Sequence, residues 1–95
     1  MDDYSRPLKK AEARHRYWGI LKDDRDFFPD AGVIFNLKFH DNTYELKVNH
    51  KNDVITGQLY HLYRFLEGDQ IIVTKKAKNS YVLKAPNTKL YPKLD

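Results

Sequence analysis

The chain has 95 residues, no cysteine and a formal net charge of +4 at pH 7. This length is typical of one small domain and excludes a multi-domain enzyme. The lack of cysteine excludes disulfide bonds, thiolate zinc sites and cysteine nucleophiles. Aromatic residues make up 14% of the chain, which is enough to build a core and argues against disorder throughout.

The charge is distributed unevenly along the chain. Residues 1–30 hold seven basic and seven acidic side chains, so the positive excess lies wholly after residue 30. Residues 70–93 contain six lysines and no acid. A one-sided basic segment suits a polyanion such as nucleic acid, and a solvated surface is the alternative. No apolar run is long enough to cross a bilayer and no secretory signal begins the chain, so we expect a soluble cytoplasmic protein with no membrane contact.

The first quarter of the chain shows few signs of regular structure. We expect residues 1–8 to be flexible and a single domain to cover residues 9–85. Residues 9–16 favour a short helix or a basic arm, because they combine good helix formers with few apolar anchors. Residues 16–21 predict a strand, and the polar residues 22–30 predict a loop.

The strongest local pattern is a β-hairpin. Residues 32–39 and 43–49 both alternate apolar and polar side chains with period two, and the turn-forming residues 40–42 separate them. Matching the two apolar faces fixes the register. The predicted facing pairs are Phe39–Tyr44, Leu37–Leu46 and Phe35–Val48 on the buried face, with Lys38–Glu45 on the solvent face.

A helix is predicted in the second half of the chain. A polar turn at residues 49–53 precedes a short strand at Val54–Ile55. Thr56 is a suitable cap for a helix over residues 58–66, where apolar side chains recur at helical spacing, and Gly68 is suitable for its end.

The remaining residues predict a second hairpin and an irregular tail. Strands at 70–76 and 80–84 surround a turn at 77–79, and residues 86–95 contain two prolines. The predicted fold is therefore mainly β with one or two short helices. It forms a small open barrel or pseudobarrel of about six to seven mostly antiparallel strands, because closure removes exposed edges.

One enzyme motif is present. Pro29-Asp30 and Glu45-Leu46-Lys47 match the pattern of metal-dependent nucleases, whose acidic residues and lysine converge on Mg²⁺. In the predicted register, Asp30 lies eight residues from the partner of Glu45, which is roughly 26 Å at about 3.3 Å per residue. That separation argues against a metal site.

Other signs of catalysis are missing. The four histidines have no ligand spacing, and neither Ser5 nor Ser80 has a His–Asp constellation near it in the sequence. We therefore predict no catalytic residue, no metal site and no cofactor.

Two polar segments carry side chains suited to DNA. The turn at residues 49–53 offers asparagine for adenine, lysine for guanine or phosphate, and aspartate for cytosine. The loop at residues 22–30 offers Lys22 and Arg25. The alternative for both segments is that Asn, Asp and His are simply favoured in turns.

Residues 43–83 resemble a known family. Thr56-Gly57, the aromatic-rich residues 60–65, Leu66-Glu67-Gly68-Asp69 and the apolar strand 71–73 are similar to the DNA-binding pseudobarrel superfamily. That superfamily includes the DNA-binding domains of plant auxin-response factors and the N-terminal effector-binding domain of EcoRII-type restriction endonucleases. With the strand and turn that precede these motifs, the resemblance covers about half of the chain.

This resemblance implies a seven-stranded pseudobarrel that grips double-stranded DNA through two loops in the major groove. By position, these are the loops at residues 22–30 and 49–53. The side chains assigned to DNA in this way are Lys22 and Arg25, then Asn49, His50, Lys51 and Asn52, with Arg14, Arg16 and Lys47 for the adjacent phosphates. The implied function is a non-catalytic recognition domain of a restriction enzyme or regulator, or a small phage protein.

Two alternatives remain at this stage. A protein-binding or inhibitory module would use an aromatic surface, with Tyr60, Tyr81 and Tyr91 as anchors. The metal-dependent nuclease stands third, because only its motif supports it.

Overall fold

A computed structural model gives the structure of residues 3–61 and 63–90. Within these residues the chain forms one α-helix, two 3₁₀ helices and nine strands. The helix α1 is Lys10–His15, and the 3₁₀ helices are Lys22–Phe27 and Leu59–His61. The strands are β1 Asp3–Pro7, β2 Tyr17–Gly19, β3 Phe35–Phe39, β4 Asn42–Leu46, β5 Asp53–Ile55, β6 Tyr63–Arg64, β7 Gln70–Ala77, β8 Ser80–Lys84 and β9 Lys89–Leu90.

The five longer strands form one sheet in the order β1-β7-β8-β3-β4. Neighbours are antiparallel except for β3 and β8, which run parallel. The short strands form two antiparallel ribbons, β2 with β5 and β6 with β9. The predicted fold, a mainly β pseudobarrel with short helices, is confirmed.

The second predicted hairpin is also confirmed, because β7 and β8 cover the expected residues. Asn79 has a φ of 58° in the turn that joins them, a conformation that asparagine tolerates better than most residues. The strand β1 is a new feature, since the sequence indicated no regular structure there. It pairs with β7, and Tyr4 on it is buried. The predicted irregular tail contains β9, and residues 91–95 lie outside the described residues.

The first hairpin forms in a different register from the predicted one. Leu37 faces Tyr44 and Phe35 faces Leu46, which is a shift of two residues. The cause is a tight turn at His40, whose φ is 55°, where a longer loop was expected. A shift of two keeps each paired side chain on its predicted face. The predicted strand at residues 32–39 starts only at Phe35, and Val33, expected on the buried face, is 41% exposed. The predicted Lys38–Glu45 pair is wrong, because the observed partners are Lys38–Thr43 and Asn36–Glu45.

The predicted helix over residues 58–66 is wrong. The structure has the short 3₁₀ helix there, followed by β6. Tyr63 and Phe65 are buried while Leu66 is 53% exposed, so the burial alternates with period two as in a strand. The predicted cap, Thr56, is itself buried and directs its hydroxyl to Arg16 O, 2.9 Å away.

An aromatic cluster anchors the first 3₁₀ helix to the sheet. The ring of Phe28 lies 5.0–5.8 Å from the rings of Tyr4, Phe27, Phe35 and Tyr81. Burying a phenylalanine side chain contributes about 1.5–3 kcal/mol. The Tyr81 hydroxyl also donates to Phe27 O at 2.6 Å. Burial raises the pKa of this hydroxyl, so it keeps the proton that it donates.

The carboxylate of Glu12 joins β1, α1 and β2. It lies only 2% exposed and accepts two hydrogen bonds from the Arg6 guanidinium, each 2.5 Å long. It also accepts from the backbone N–H of Lys9 at 2.9 Å and of Gly19 at 2.6 Å. The Tyr4 hydroxyl completes the cluster by donating to Gly19 O at 2.9 Å. These hydrogen bonds offset the desolvation cost of burying the charge.

The protonation of Glu12 is controlled by the same partners. Burial alone would raise the pKa of this carboxyl. The hydrogen bonds from Arg6, Lys9 and Gly19, with the charge of Arg6, outweigh burial and hold the pKa below its ordinary value of 4.5. The stabilisation is therefore present above that value and is lost as pH falls through the pKa of the folded protein.

We expect Glu12→Gln to lower the free energy of unfolding by about 3–5 kcal/mol near pH 7, because it leaves the partly buried Arg6 without its counter-charge. Urea unfolding is followed by the fluorescence of Trp18, which is the only tryptophan of the chain and is 1% exposed.

The exposed Glu45→Gln variant is the matched control and is expected to unfold like the wild type. Below about pH 4.5 the difference between wild type and Glu12→Gln should narrow, because Glu12 is protonated first in the unfolded wild type and, at lower pH, in the folded protein. A difference that stays constant from about pH 7 to about pH 3 would contradict this assignment.

Candidate nucleic-acid interface

The ribbon of β2 and β5 presents one face to solvent. Trp18 and Val54 face each other and are buried, so the flanking pairs Tyr17–Ile55 and Gly19–Asp53 point to the opposite side. Lys47 lies beside this ribbon, since its carbonyl accepts from the Ile55 N–H at 3.2 Å. The side chain of Lys47 is exposed.

The turn at residues 49–53 is shaped by the side chain of Asn49. Its Oδ1 accepts from the backbone N–H of Lys51 at 2.9 Å and of Asp53 at 3.0 Å. The Asn49 N–H donates to Asp53 O at 2.9 Å, which closes the turn. His50 and Lys51 are exposed as a result. Asn49 therefore builds the loop, and its carboxamide oxygen is already occupied.

The loop at residues 22–30 is folded rather than irregular. Its first part is the 3₁₀ helix Lys22–Phe27, and the aromatic cluster holds its end against the sheet. Lys22 is exposed and Arg25 is half-buried. The loop carries four aspartates against one lysine and one arginine, so its net charge is −2. In a complex with nucleic acid, the basic side chains that contact phosphate would therefore come mainly from outside this loop.

The two loops contact each other directly. Arg25 Nε donates to Asn52 Oδ1 at 3.0 Å, and Arg25 Nη1 donates to Phe28 O at 3.2 Å and to Pro29 O at 2.8 Å. The backbone N–H of Ile20 also donates to Asn52 O at 2.9 Å. Segments that are 27 residues apart in sequence thus form one continuous surface.

Two of the residues predicted for phosphates lie at the other end of the ribbon. Arg14 is on α1, and Arg16 follows it with a φ of 62°. The Arg16 carbonyl accepts from Thr56, which places it next to the Tyr17–Ile55 end. The Arg16 guanidinium lies 5.8 Å from the ring of Tyr60. Both arginines are exposed.

The nine predicted residues fall into two groups. Six have exposed side chains that make no hydrogen bond among the described residues, namely Lys22, His50, Lys51, Arg14, Arg16 and Lys47. Three have side chains that make hydrogen bonds within the protein, namely Arg25, Asn49 and Asn52. The side-chain types in the sequence did not distinguish the two groups, because asparagine and arginine serve turns and DNA equally well.

Several features escaped the sequence interpretation. A cleft of about 560 Å³ lies between the first 3₁₀ helix and the β7–β8 hairpin, where Lys75 and Lys78 lie near Asp26 and Asp30. The run of basic residues at 70–93 was the feature of the sequence that could have indicated these lysines. Glu12 gave no signal, because a glutamate in a short helix is ordinarily solvated.

The structure also bears on the two alternatives. Tyr60 and Tyr81, the proposed aromatic anchors, are 3% and 1% exposed, and Tyr91 lies outside the described residues. The predicted separation of Asp30 and Glu45, which argued against the nuclease motif, was overestimated because it was calculated from the wrong hairpin register. The chain also turns back after Asp30, so that the Gly32 N–H donates to Val48 O at 2.9 Å.

In residues 3–61 and 63–90, no three histidine, aspartate or glutamate side chains lie close enough together to hold a metal ion. Over the same residues, every helix is too short or too polar to span a bilayer.

Two solved structures are similar to this chain. The N-terminal domain of Helicobacter pylori LlaJI.R1 aligns with a TM-score of 0.68 and 14% identity over 87% of this chain and 85% of its own. The hypothetical Arabidopsis thaliana protein At1g16640.1 aligns with a TM-score of 0.57 and 11% identity over 94% of this chain and 88% of its own. Similarity at these identities shows a shared fold. No protein-family model and no curated protein sequence matches the chain.

We expect Asn49→Ala to lower the free energy of unfolding by about 1–2 kcal/mol, because two backbone N–H groups lose their acceptor. Amide hydrogen exchange should accelerate at Lys51 and Asp53 in Asn49→Ala. In Asn49→Asp the side chain keeps an acceptor, so the same two amides should exchange slowly. Asn87→Ala, at an exposed asparagine in another turn, is the control. Equal exchange rates in Asn49→Ala and Asn49→Asp would show that the side chain does not shape this turn.

Proposed function

We propose that this chain is a non-catalytic module that binds double-stranded DNA through its two contacting loops. We call the loops at residues 22–30 and 49–53, with the exposed side chains of Lys22, His50 and Lys51, the two-loop surface. The observation that carries the proposal is the direct contact between these loops, 3.0 Å from Arg25 to Asn52. Two loops can enter the same major groove only if they lie on the same face of the protein.

The chemistry of the exposed side chains supports the proposal. The ammonium groups of Lys22 and Lys51 can donate to guanine O6 and N7 or to phosphate. His50 offers a ring nitrogen to base edges. The major groove is about 12 Å wide and admits elements of this size. The aspartates of the first loop can accept from cytosine N4, and they also exclude phosphate from their vicinity.

The ribbon supplies the cations that the first loop lacks. Arg14 and Arg16 lie at one end of it, and Lys47 is exposed along it. Contacts from such residues to phosphate release counterions, so they contribute affinity that depends on salt. We infer a division in which the ribbon holds the DNA backbone and the two-loop surface meets the bases.

The family resemblance and the shared fold support the same function. In that setting the module would be the recognition part of a restriction enzyme or regulator, with a larger protein as its partner, or a small cytoplasmic phage protein. A protein-binding function has less support, because Tyr60 and Tyr81 are in the core. The nuclease alternative is examined in the same experiment through its Mg²⁺ requirement.

We expect fluorescence anisotropy to show duplex binding that weakens steeply with salt, with log Kd changing by about 0.9 per phosphate contact for each unit of log salt. A pool of random duplexes, the matching single strands, and arms with Mg²⁺ or with EDTA complete the experiment. Duplex binding without cleavage is the expected result. Cleavage in Mg²⁺ that Glu45→Gln abolishes would establish the nuclease instead, and absence of duplex binding would refute the proposal.

We also expect Lys51→Ala and Lys22→Ala each to raise Kd by about tenfold or more, because a hydrogen bond to a charged group contributes about 1.5–3 kcal/mol. Lys84→Ala is the matched control, since Lys84 is exposed beside Phe39, at the far end of β3 from the loops. Equal effects of all three substitutions would mean that the lysines act only through net charge.

A further inference from the structure

The guanidinium of Arg25 is held by acceptors from both loops. Its Nε donates to Asn52 in the second loop, and its Nη1 donates to Phe28 O and Pro29 O in the first. Arginine has five N–H donors in a planar fork, so three of them are satisfied inside the protein. The guanidinium cannot turn toward a ligand without breaking these bonds.

Asn52 is fixed from its backbone as well. Its N–H donates to Asn49 O at 3.1 Å, its carbonyl accepts from Ile20, and its φ is 62°. This left-handed conformation is costly for most residues but accessible to glycine and asparagine. Asparagine therefore meets two requirements here, because it tolerates the backbone and its Oδ1 accepts from Arg25.

Arg25 in turn is tied to the core. Phe28, three residues after it, is 4% exposed, and Phe27 O accepts from the buried Tyr81 hydroxyl. The Arg25–Asn52 contact thus connects the tip of the second loop to the aromatic cluster. Without the Arg25–Asn52 contact, the tip is held by the backbone hydrogen bond from Ile20 to Asn52 and by the β2–β5 ribbon.

We propose that Arg25 and Asn52 are positioning residues, which hold the two loops in their DNA-binding arrangement before DNA arrives. This inference rests on the proposed function and reassigns two residues that were predicted from the sequence to contact DNA. Loops that already have their bound arrangement lose less conformational entropy on binding. Direct contact with DNA then falls to Lys22, His50 and Lys51.

The test is a double-mutant cycle with Arg25→Met and Asn52→Gly. Methionine keeps a long apolar stem without the donors, and glycine keeps the left-handed backbone without the acceptor. Asn79→Gly is the matched control, because Asn79 has nearly the same φ, 58°, in another turn. Asn52→Asp retains an acceptor for Arg25 and is the conservative variant. Duplex Kd is measured over a salt series, at a temperature below the unfolding midpoint of every variant.

Each single substitution should raise Kd by about tenfold (about 1.4 kcal/mol). The double variant should bind no more weakly than the weaker single variant, because both changes break one contact. The slope of log Kd against log salt should stay at the wild-type value, since no phosphate contact is lost. Asn79→Gly should leave Kd unchanged, and Asn52→Asp should unfold at a higher urea concentration than Asn52→Gly.

Three results would overturn the inference. A slope lowered by about 0.9 in Arg25→Met would mean that Arg25 contacts a phosphate directly. Additive effects would mean that the two residues act separately. A lower unfolding midpoint with unchanged Kd would mean that the contact only stabilises the fold.

The proposed function is judged on the wild type, and the inference on the variants. If the wild-type protein binds no duplex, the proposed function fails and the role in DNA binding fails with it. If the wild type binds and the cycle shows no coupling, only the inference fails. Coupling in the unfolding free energy, measured without DNA, reports independently whether the contact forms in solution.

Discussion

The arrangement of this protein depends on one buried carboxylate. Glu12 accepts hydrogen bonds from β1 through Arg6, from the start of α1 through the Lys9 N–H, and from β2 through the Gly19 N–H. Its partner Arg6 reinforces the same junction, because the guanidinium also donates to the Tyr4 hydroxyl at 2.9 Å and to Gly19 O at 3.1 Å. Because β2 is only three residues long, it has little pairing of its own and takes its position from this carboxylate. The β2–β5 ribbon, which leads into the turn at residues 49–53, follows from that position, whereas the aromatic cluster around Phe28 holds the loop at residues 22–30.

The candidate surface combines rigid geometry with an unfavourable local charge. Both loops are closed by internal hydrogen bonds and joined through Arg25, yet the first carries a net charge of −2. An acidic loop repels phosphate at every DNA sequence, so non-specific attraction is weakened where bases would be read. Under the proposed function, favourable contacts with the correct bases would offset that repulsion, and the arrangement would favour discrimination between sequences over affinity for DNA in general.

Much of the fold follows from local patterns in the sequence. The alternation in residues 32–39 predicted the burial of Phe35, Leu37 and Phe39 correctly, because the side-chain period of a strand is fixed at two. It failed at Val33, which precedes β3 and is exposed. The register of the first hairpin was not predictable from these patterns, since a shift of two residues buries the same side chains. The helix over residues 58–66 failed for a related reason. Its apolar residues fit both a helical and an alternating pattern, and pairing with β9 favours the strand.

The candidate site was less predictable than the fold. Its two loops were identified, but the roles of individual residues within them depend on partners far away in sequence. Arg25 is 27 residues from Asn52, and no local pattern specifies that contact. The partners of Glu12 are nearer, since Arg6 and Gly19 lie six and seven residues away, but no local pattern brings both to its carboxylate. Side-chain chemistry indicates what a residue can bind, and only the tertiary structure decides whether it is already bound.

The parallel pairing of β3 with β8 also determines when this protein can fold. Asn36 lies opposite Ser80, and Asp3 lies opposite Thr74, so the centre and one edge of the main sheet need residues from distant parts of the chain. Sheets of such high contact order fold slowly, because long loops must close before their contacts form. During synthesis, the hairpin of β3 and β4 emerges long before β8 and must wait with its apolar face uncovered. The fold therefore completes only when almost the entire described chain has left the ribosome.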